Sequence, residues 1–528
     1  MVEATAPGPG AARLGAGTPV VPSTVPAEPA SDHRDDTRTA GGGRWPRTPR
    51  SLRTALDFLS GLSPEWRDAL LYGCSALFAG VAALAMGIPL YRQWGQLAFG
   101  PYLAATVFIA VAAWRFGRRD AGADTAAGTA ARRRRRWNWA RVVAFVIVLF
   151  GATVVPLALE VIWRSEGNAA LHVQPEVTVV EQAGVRAADG KDPYRVVDKN
   201  GHILIHERYE PVYELYYPYL PGMVVFGFSS GDVVSGSKIE ARLTDARIQF
   251  LVFTFLVTVL ALSRLRPPSD ARGRAWQVLT VLPTAALPLA TGGDDMPVAA
   301  LMLLGLVALQ RRRPVLAGLA LGAASSLKFT SWPLVFFALW AARDLKMHRA
   351  AGRYALGVLA VVVPVVFPVA LRNPSAFVDN VIKFPLGLAG VSSPAASPLP
   401  GHILVSAVPG SHRIYVIVIG LVGLALLAVI LRRHPPGNAA DLSRFTAWVM
   451  LIAIMVAPAT RVGYLLYPIN LFVWAWMLRR STDPAPLAGV PAGPPTDTQS
   501  WSGDSSTSTA NGVTPAEVVG ETTTPTSQ

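Results

Sequence analysis

The sequence predicts an all-α polytopic membrane protein with about 12 transmembrane helices. Three observations predict it. The chain is 51% hydrophobic and only 16% charged, whereas a soluble domain carries charge on about a quarter of its residues. The apolar residues are gathered into long runs, which a soluble core does not need. The basic residues collect in alternate connections between those runs, the pattern that sets topology in a membrane.

The runs fall at about 69–90, 97–114, 142–163, 248–263, 275–290, 297–310, 315–327, 329–342, 354–371, 414–431, 445–458 and 463–478. Several are shorter than the roughly 20 residues of a straight span. Tilt, local thinning of the bilayer or burial inside a bundle can satisfy a short span. Runs seven and eight make a tight hairpin around Lys328.

Orientation follows from the basic connections. Arg115, Arg118, Arg119, the run Arg132 to Arg136, and Arg141 lie between runs two and three. Arg264, Arg266, Arg272 and Arg274 lie between four and five, and Arg311 to Arg313 between six and seven. Arg343, Lys346, Arg349 and Arg353 follow run eight; Arg432, Arg433 and Arg444 follow run ten. All these connections fall on one side, which the positive-inside rule makes cytoplasmic. The net charge of +14 is then explained by topology, and no nucleic-acid partner is expected. The bias to Ala, Arg, Gly, Val and Pro resembles that of a high-GC bacterium, so the expected location is a bacterial plasma membrane.

The membrane domain is expected over 66–480. Residues 1–65 are rich in Pro, Gly, Ala, Thr and Arg without helical period or a short apolar core, so a disordered cytoplasmic tail without a cleavable signal is expected. From Ser481 the chain is Pro, Ser, Thr and Gly, a second such tail. Cys74 is the single cysteine, which excludes disulfides within the chain and a Cys-rich metal site.

Two outer loops remain. The first, about 164–247, holds nine Lys or Arg and twelve Asp or Glu, net negative inside a basic protein. The second, about 372–413, is rich in Pro, Ser and Gly. Loops this long are more often functional or disordered than plain connectors. The first contains PEVTVVEQAGVRAADGKDPY, residues 175–194. Val177, Val180, Gly184 and Val185 suggest a short amphipathic helix entered through Pro175, ended by Gly190 and followed by an Asp192-Pro193 turn. Glu176 sits in its first turn, as a charge favoured by the helix dipole or as a functional acid near the membrane surface. Downstream, HERYEPVYELYYPYLPGMVVFGF, residues 206–228, reads as an aromatic segment at the outer interface, either an aromatic belt or a place for sugar stacking.

These segments resemble the first outer loop of bacterial GT-C membrane glycosyltransferases, especially the polyprenyl-phosphate-mannose-dependent alpha-mannosyltransferase-like family. Gly190-Lys191-Asp192-Pro193-Tyr194 resembles its GxDPY, and Tyr217-Pro218-Tyr219-Leu220-Pro221 its YPP-type segment. Fourteen residues before Gly190, where that family places an acid, stands Glu176; the family usually has Asp there. The stretch 292–342, with its short outer turn, span, Arg cluster and LAGLALGAASSLK, is similar to the same family. The resemblance implies a GT-C-like fold whose large first outer loop carries short interfacial helices. It implies inverting transfer of a sugar, mannose in that family, from a polyprenyl-phosphate donor to a lipid or glycan acceptor outside. Glu176 would be the base; Asp192, Tyr194 and Tyr217 would belong to the substrate site.

Other residues offer chemistry of their own. Lys328, between two apolar halves, could bind a lipid phosphate or snorkel to the interface. Asp294 and Asp295 make either a plain polar turn, an acceptor site or a site for a divalent cation; no metal ligand set or cofactor is otherwise read. Arg461, with Tyr464 beside it, is a phosphate ligand or an anchor. His402 could assist a leaving phosphate or be an exposed loop histidine. No Walker loop, HExxH or GxSxG in a strand–helix context occurs, which removes support for ATP hydrolysis, zinc proteolysis and serine hydrolysis. A lipid or solute transporter, or a non-catalytic GT-C-like protein, remains an alternative.

Overall fold

A computed structural model describes residues 63–120, 127–167, 171–194, 212–232, 238–343, 345, 349–389, 391, 395–408 and 410–481. The expected tails, apart from Ser63 to Glu65 and Ser481, lie outside the described residues, as does the first part of the aromatic segment, 206–211.

Helix α1, Pro64–Ala85, starts with Pro in its first turn, and the Ser63 hydroxyl caps the Trp66 amide. It packs antiparallel on α2, Pro89–Asp120, so closely that a Cβ on Gly95 would lie 2.5 Å from the Ala83 nitrogen. Helix α3, Ala127–Val148, runs through a π-helical turn, Leu149–Val154, into α4, Val155–Glu166. Pro101 of α2 packs on Gly151 within that turn, and Trp94 Nε1 donates to the Ala152 carbonyl at 2.9 Å. The widened turn thus gives room to one neighbour and an acceptor to another.

In the first outer loop α5, Pro175–Ala188, begins at Pro175 and is terminated by Gly190 at φ 71°, as the sequence predicts. Its buried face is Val177, Val179, Val180, Ala183 and Gly184, and Gly184 meets Gly227 backbone to backbone. The aromatic segment departs from expectation. Tyr216, Tyr217, Tyr219 and Leu220 are buried within the protein, where the sequence suggested an interfacial belt. The Tyr216 hydroxyl donates to the Ala389 carbonyl and the Tyr219 hydroxyl bonds Asp294, so two of the three phenols find polar partners in the interior.

The chain then forms α6, Lys238–Leu243, and α7, Ala246–Ser263, capped by Asp245. The fifth apolar run is broken in two: α8, Ser269–Thr280, and α9, Pro283–Thr291. Pro283 forces the break. The freed carbonyls of Thr280 and Val281 accept from Thr153 Oγ1 at 2.8 Å and Tyr102 OH at 2.5 Å, so the break is satisfied inside the protein. Helix α10, Asp295–Gln310, is apolar and buried on every face, the mark of a central helix. Against it pack α7 and α11, Pro314–Leu327, with α12, Trp332–Arg343, at its edge, while α13, Ala350–Arg372, packs on α11. The remaining helices are α14, Pro374–Val378, α15, Pro400–Ala407, α16, His412–Arg433, α17, Ala439–Val456, and α18, Leu466–Arg480.

Every predicted run lies on a helix. Among the described residues seven helices are long and apolar enough to cross a membrane. The fifth, sixth, seventh, eighth and twelfth runs form shorter helices, and α10 is covered by protein over nearly its whole length. A helix sheathed by other helices need not match the bilayer.

The expected sides sort to opposite ends of the bundle. At one end Asp68 pairs with Arg141 at 2.7 Å and Arg274 at 2.6 Å, and Asp441 pairs with Arg479 at 2.6 Å. At the other, Gln174 bonds Thr291, Leu220 bonds Leu327, Tyr217 bonds Asn380, and Val462 bonds Ser397. With Cys74 replaced, single cysteines at Asp192 and at Arg135 should therefore be labelled by an impermeant reagent from opposite sides of sealed vesicles. Labelling of both from one side would contradict this topology.

Candidate functional site

The loop end of the bundle gathers most of the chemically notable residues. The first turn of α5 is pressed on the turn after α9. Gly292, at φ 145°, leaves no room for a Cβ against Val177 and Gln174, and Gln174 Nε2 donates to Thr291 Oγ1 at 2.8 Å and Tyr91 OH at 2.9 Å. That contact fixes Glu176, whose Oε1 is ion-paired with Arg461. The Glu176 side chain is 15% exposed and that of Arg461 32%. Glu176 Oε2 is buried without a hydrogen-bond partner among the described residues. The guanidinium is its cation: the acid and the phosphate-ligand candidate, 285 residues apart, hold each other.

Arg461 is positioned by the second outer loop. Thr460 pairs with Ala396, its amide donates to Ala395 O at 2.8 Å, and the Val462 amide donates to Ser397 Oγ at 3.1 Å. Glu176 and Arg461 thus come from segments strapped to different loops.

Beneath lies a second cluster. Lys328 sits in extended backbone between α11 and a 3-10 turn, Phe329–Ser331. Its Nζ lies 2.5 Å from Asp295 Oδ1 and 3.1 Å from Asp294 Oδ1. Tyr467 OH donates to Asp295 at 2.6 Å and accepts from Thr330 at 2.6 Å, and the Tyr219 hydroxyl bonds Asp294. Nζ also stands 5.1 Å and 5.7 Å from the ring centres of Tyr219 and Tyr464. Burial raises the Asp294 carboxyl above its ordinary range; Lys328 pulls it down and Asp295 pushes it up. Burial works against the Lys328 ammonium, but the two carboxylates outweigh it and keep it charged. In the structure the ammonium is shared between two acids.

The GxDPY residues build the scaffold. Asp192 Oδ1 accepts the Tyr194 amide at 2.9 Å, closing a local turn, while Arg186 Nε donates to the Asp192 carbonyl at 2.8 Å. Tyr194 is fully buried, its hydroxyl donating to the Tyr219 carbonyl at 2.9 Å and its ring lying against Tyr217 and Phe377. Tyr217 OH is buried without a hydrogen-bond partner among the described residues. His402 is half-buried, with Nδ1 2.9 Å from the Pro458 carbonyl, and is not joined to Glu176. No group of three or more metal-ligating side chains occurs among the described residues.

Glu181, five residues after Glu176, faces another way. It receives both nitrogens of Arg164 at 3.0 and 2.6 Å and the Ala246 amide at 3.1 Å, in a network that continues through Asp245 to Arg247. Sequence reading missed this network, and it missed Tyr91, Gln174, Tyr219 and Tyr467 as supports. Tyr219 stood inside a quoted motif; Tyr91 carried no signal, since the turn that brings it near is formed by distant residues.

Lys328→Met should leave two buried carboxylates facing each other and cost about 3–5 kcal/mol, read as a lowered thermal unfolding midpoint. Adding Asp294→Asn and Asp295→Asn should restore most of that loss. A Lys328→Met protein of unchanged stability that no longer holds polyprenyl phosphate would instead make Lys328 a phosphate ligand. Glu181→Gln should destabilise by about 1–3 kcal/mol, because Arg164 loses half its pairing.

Residues 241–458 match the sequence model of glycosyltransferase family 87, a GT-C-like family of membrane enzymes. The match covers Asp294, Asp295, Lys328 and His402; Glu176 and Arg461 lie on either side of it. No curated protein and no solved structure matches the chain. Over less than half its length the chain is similar to that family, and the match, with seven helices fit to cross a membrane, supports a multi-pass membrane glycosyltransferase.

Proposed function

We propose that this chain transfers a sugar, mannose by resemblance, from a polyprenyl-phosphate donor to a hydroxyl of a lipid or glycan acceptor, on the outer face of a bacterial plasma membrane. The observation that carries the reading is the meeting of Glu176 and Arg461 at the loop end. A carboxylate and a guanidinium side by side are what a phosphate-leaving transfer to a hydroxyl requires. Arg461 takes the phosphate, which its planar fork suits. Glu176 takes the proton of the acceptor hydroxyl. The acceptor oxygen then bonds to the anomeric carbon from the face opposite the phosphate. The carbon–oxygen bond to phosphate breaks, the phosphate keeps the electron pair, and the configuration inverts. Charge on Arg461 stabilises the leaving group as it forms.

In this reading the Lys328 cluster is a foundation and not a phosphate ligand. It fixes the turn on which α5 rests and, through Tyr464, the turn that carries Arg461. Asp192, Tyr194 and Tyr217 hold the first loop in shape. A nucleotide sugar is not the donor, because it is made in the cytoplasm and the loop end faces outside.

Membranes containing the chain should transfer sugar from a polyprenyl-phosphate donor and lose transfer from nucleotide sugar once synthesis of the lipid carrier is blocked. Undiminished transfer under that block would sink the lipid donor. Glu176→Gln should keep expression and membrane insertion while turnover falls at least ~10²-fold, the usual share of such a base. Glu176→Asp should be milder, since it keeps the carboxylate. Full turnover in Glu176→Gln would remove the base from this residue.

A further inference from the structure

We infer that Arg461 is an exchangeable counter-ion: the phosphate of the lipid donor takes it from Glu176, so the base is set free only where a donor is bound. The inference rests on the reading of the site as a polyprenyl-phosphate-dependent transferase and adds the order of events within it.

The pair in the structure poses a problem for a site whose two members are both meant to meet substrate. While the two are paired, the guanidinium is occupied and the carboxylate is held by its cation. A lipid phosphate competes well for that cation. With the sugar attached it carries the same single negative charge as a carboxylate, and it matches the guanidinium fork with two oxygens. Arg461 is also the reachable partner, one-third exposed, whereas Glu176 is set deeper on a helix clamped through Gln174 and Gly292.

The consequence for Glu176 follows from its surroundings. Its Oε2 is buried without a hydrogen-bond partner among the described residues, so the carboxylate depends on Arg461 for its stabilisation. Once the phosphate holds the guanidinium, the carboxylate is left in a part-buried place without its cation, open to the proton of a bound hydroxyl. An acceptor hydroxyl supplies that proton. Donor binding therefore prepares the base; Glu176 then gives the proton to the departing polyprenyl phosphate, and the pair re-forms as that product leaves. The Lys328 cluster does not compete in the exchange, because its ammonium is buried and held by two acids.

The exchange gives one signature that a structural ion pair does not. Every donor must first break the Glu176 contact, so removing the acid strengthens donor binding while it abolishes turnover. Binding of polyprenyl phosphate without sugar to the purified full chain in nanodiscs should be roughly 2–5-fold tighter in Glu176→Gln than in wild type, the range for opening a part-exposed pair. Arg461→Gln should bind about tenfold more weakly or worse, and Glu176→Gln in that background should give no gain. Polyprenol lacking the phosphate should not distinguish wild type from Glu176→Gln. Wild-type binding with no tightening in Glu176→Gln overturns the exchange and leaves the transferase reading standing. Tightening that persists with Arg461→Gln overturns the part given to Arg461. A wild type that binds no polyprenyl phosphate overturns the donor assignment and the exchange with it.

Discussion

Three segments that are distant in sequence converge on the ammonium of Lys328. Asp294 and Asp295 begin α10, Tyr219 comes from the first outer loop, and Tyr464 and Tyr467 come from the start of α18. A charge buried this deeply is stable only if its partners stay in place, so the cluster constrains all three segments at once. The turn before α10 supports α5 through Gly292 and Thr291. The turn before α18 carries Arg461. The geometry of Glu176 and Arg461 is therefore inherited from a group that touches neither.

The two clusters divide the work by burial. In the lower one every charge is enclosed and nearly every polar atom is satisfied, which makes it rigid and poor at exchanging partners. The upper pair is part-exposed, with one unsatisfied carboxylate oxygen, which makes it cheap to open. The proposed transfer from a lipid phosphate would use both kinds. A rigid base of charges keeps the register, and a labile pair on top receives the ligand.

Much of this was legible in the sequence, for reasons that can be stated residue by residue. Pro175 and Gly190 are local signals, and α5 begins and ends where they put it. The basic connections are a one-dimensional pattern, and two of them, at Arg141 and Arg274, meet on Asp68. Lys328, Asp294, Asp295, Arg461 and Glu176 stood out because charge beside apolar runs is costly. Their pairing did not stand out, because two acids on one lysine and one acid on one arginine are decided by how loops fold back over hundreds of residues. The same limit explains the aromatic segment. Tyr217 and Tyr219 look alike at an interface and in a core, and only the rings and the Asp294 carboxyl around them decide. The break between α8 and α9 was marked by Pro283, but its acceptance depended on Thr153 and Tyr102 from other helices. Family similarity over 241–458 adds the class of chemistry and leaves out the two residues at the proposed reacting centre.

The account stands or falls on what Arg461 touches when a donor lipid is present. A structure of the full chain with polyprenyl phosphate bound tests this directly. The predicted result is a phosphate within hydrogen-bonding distance of the Arg461 guanidinium, with the Glu176 carboxylate released and turned toward the space beside the phosphate. A phosphate bound elsewhere, with Glu176 and Arg461 still paired, would contradict the account.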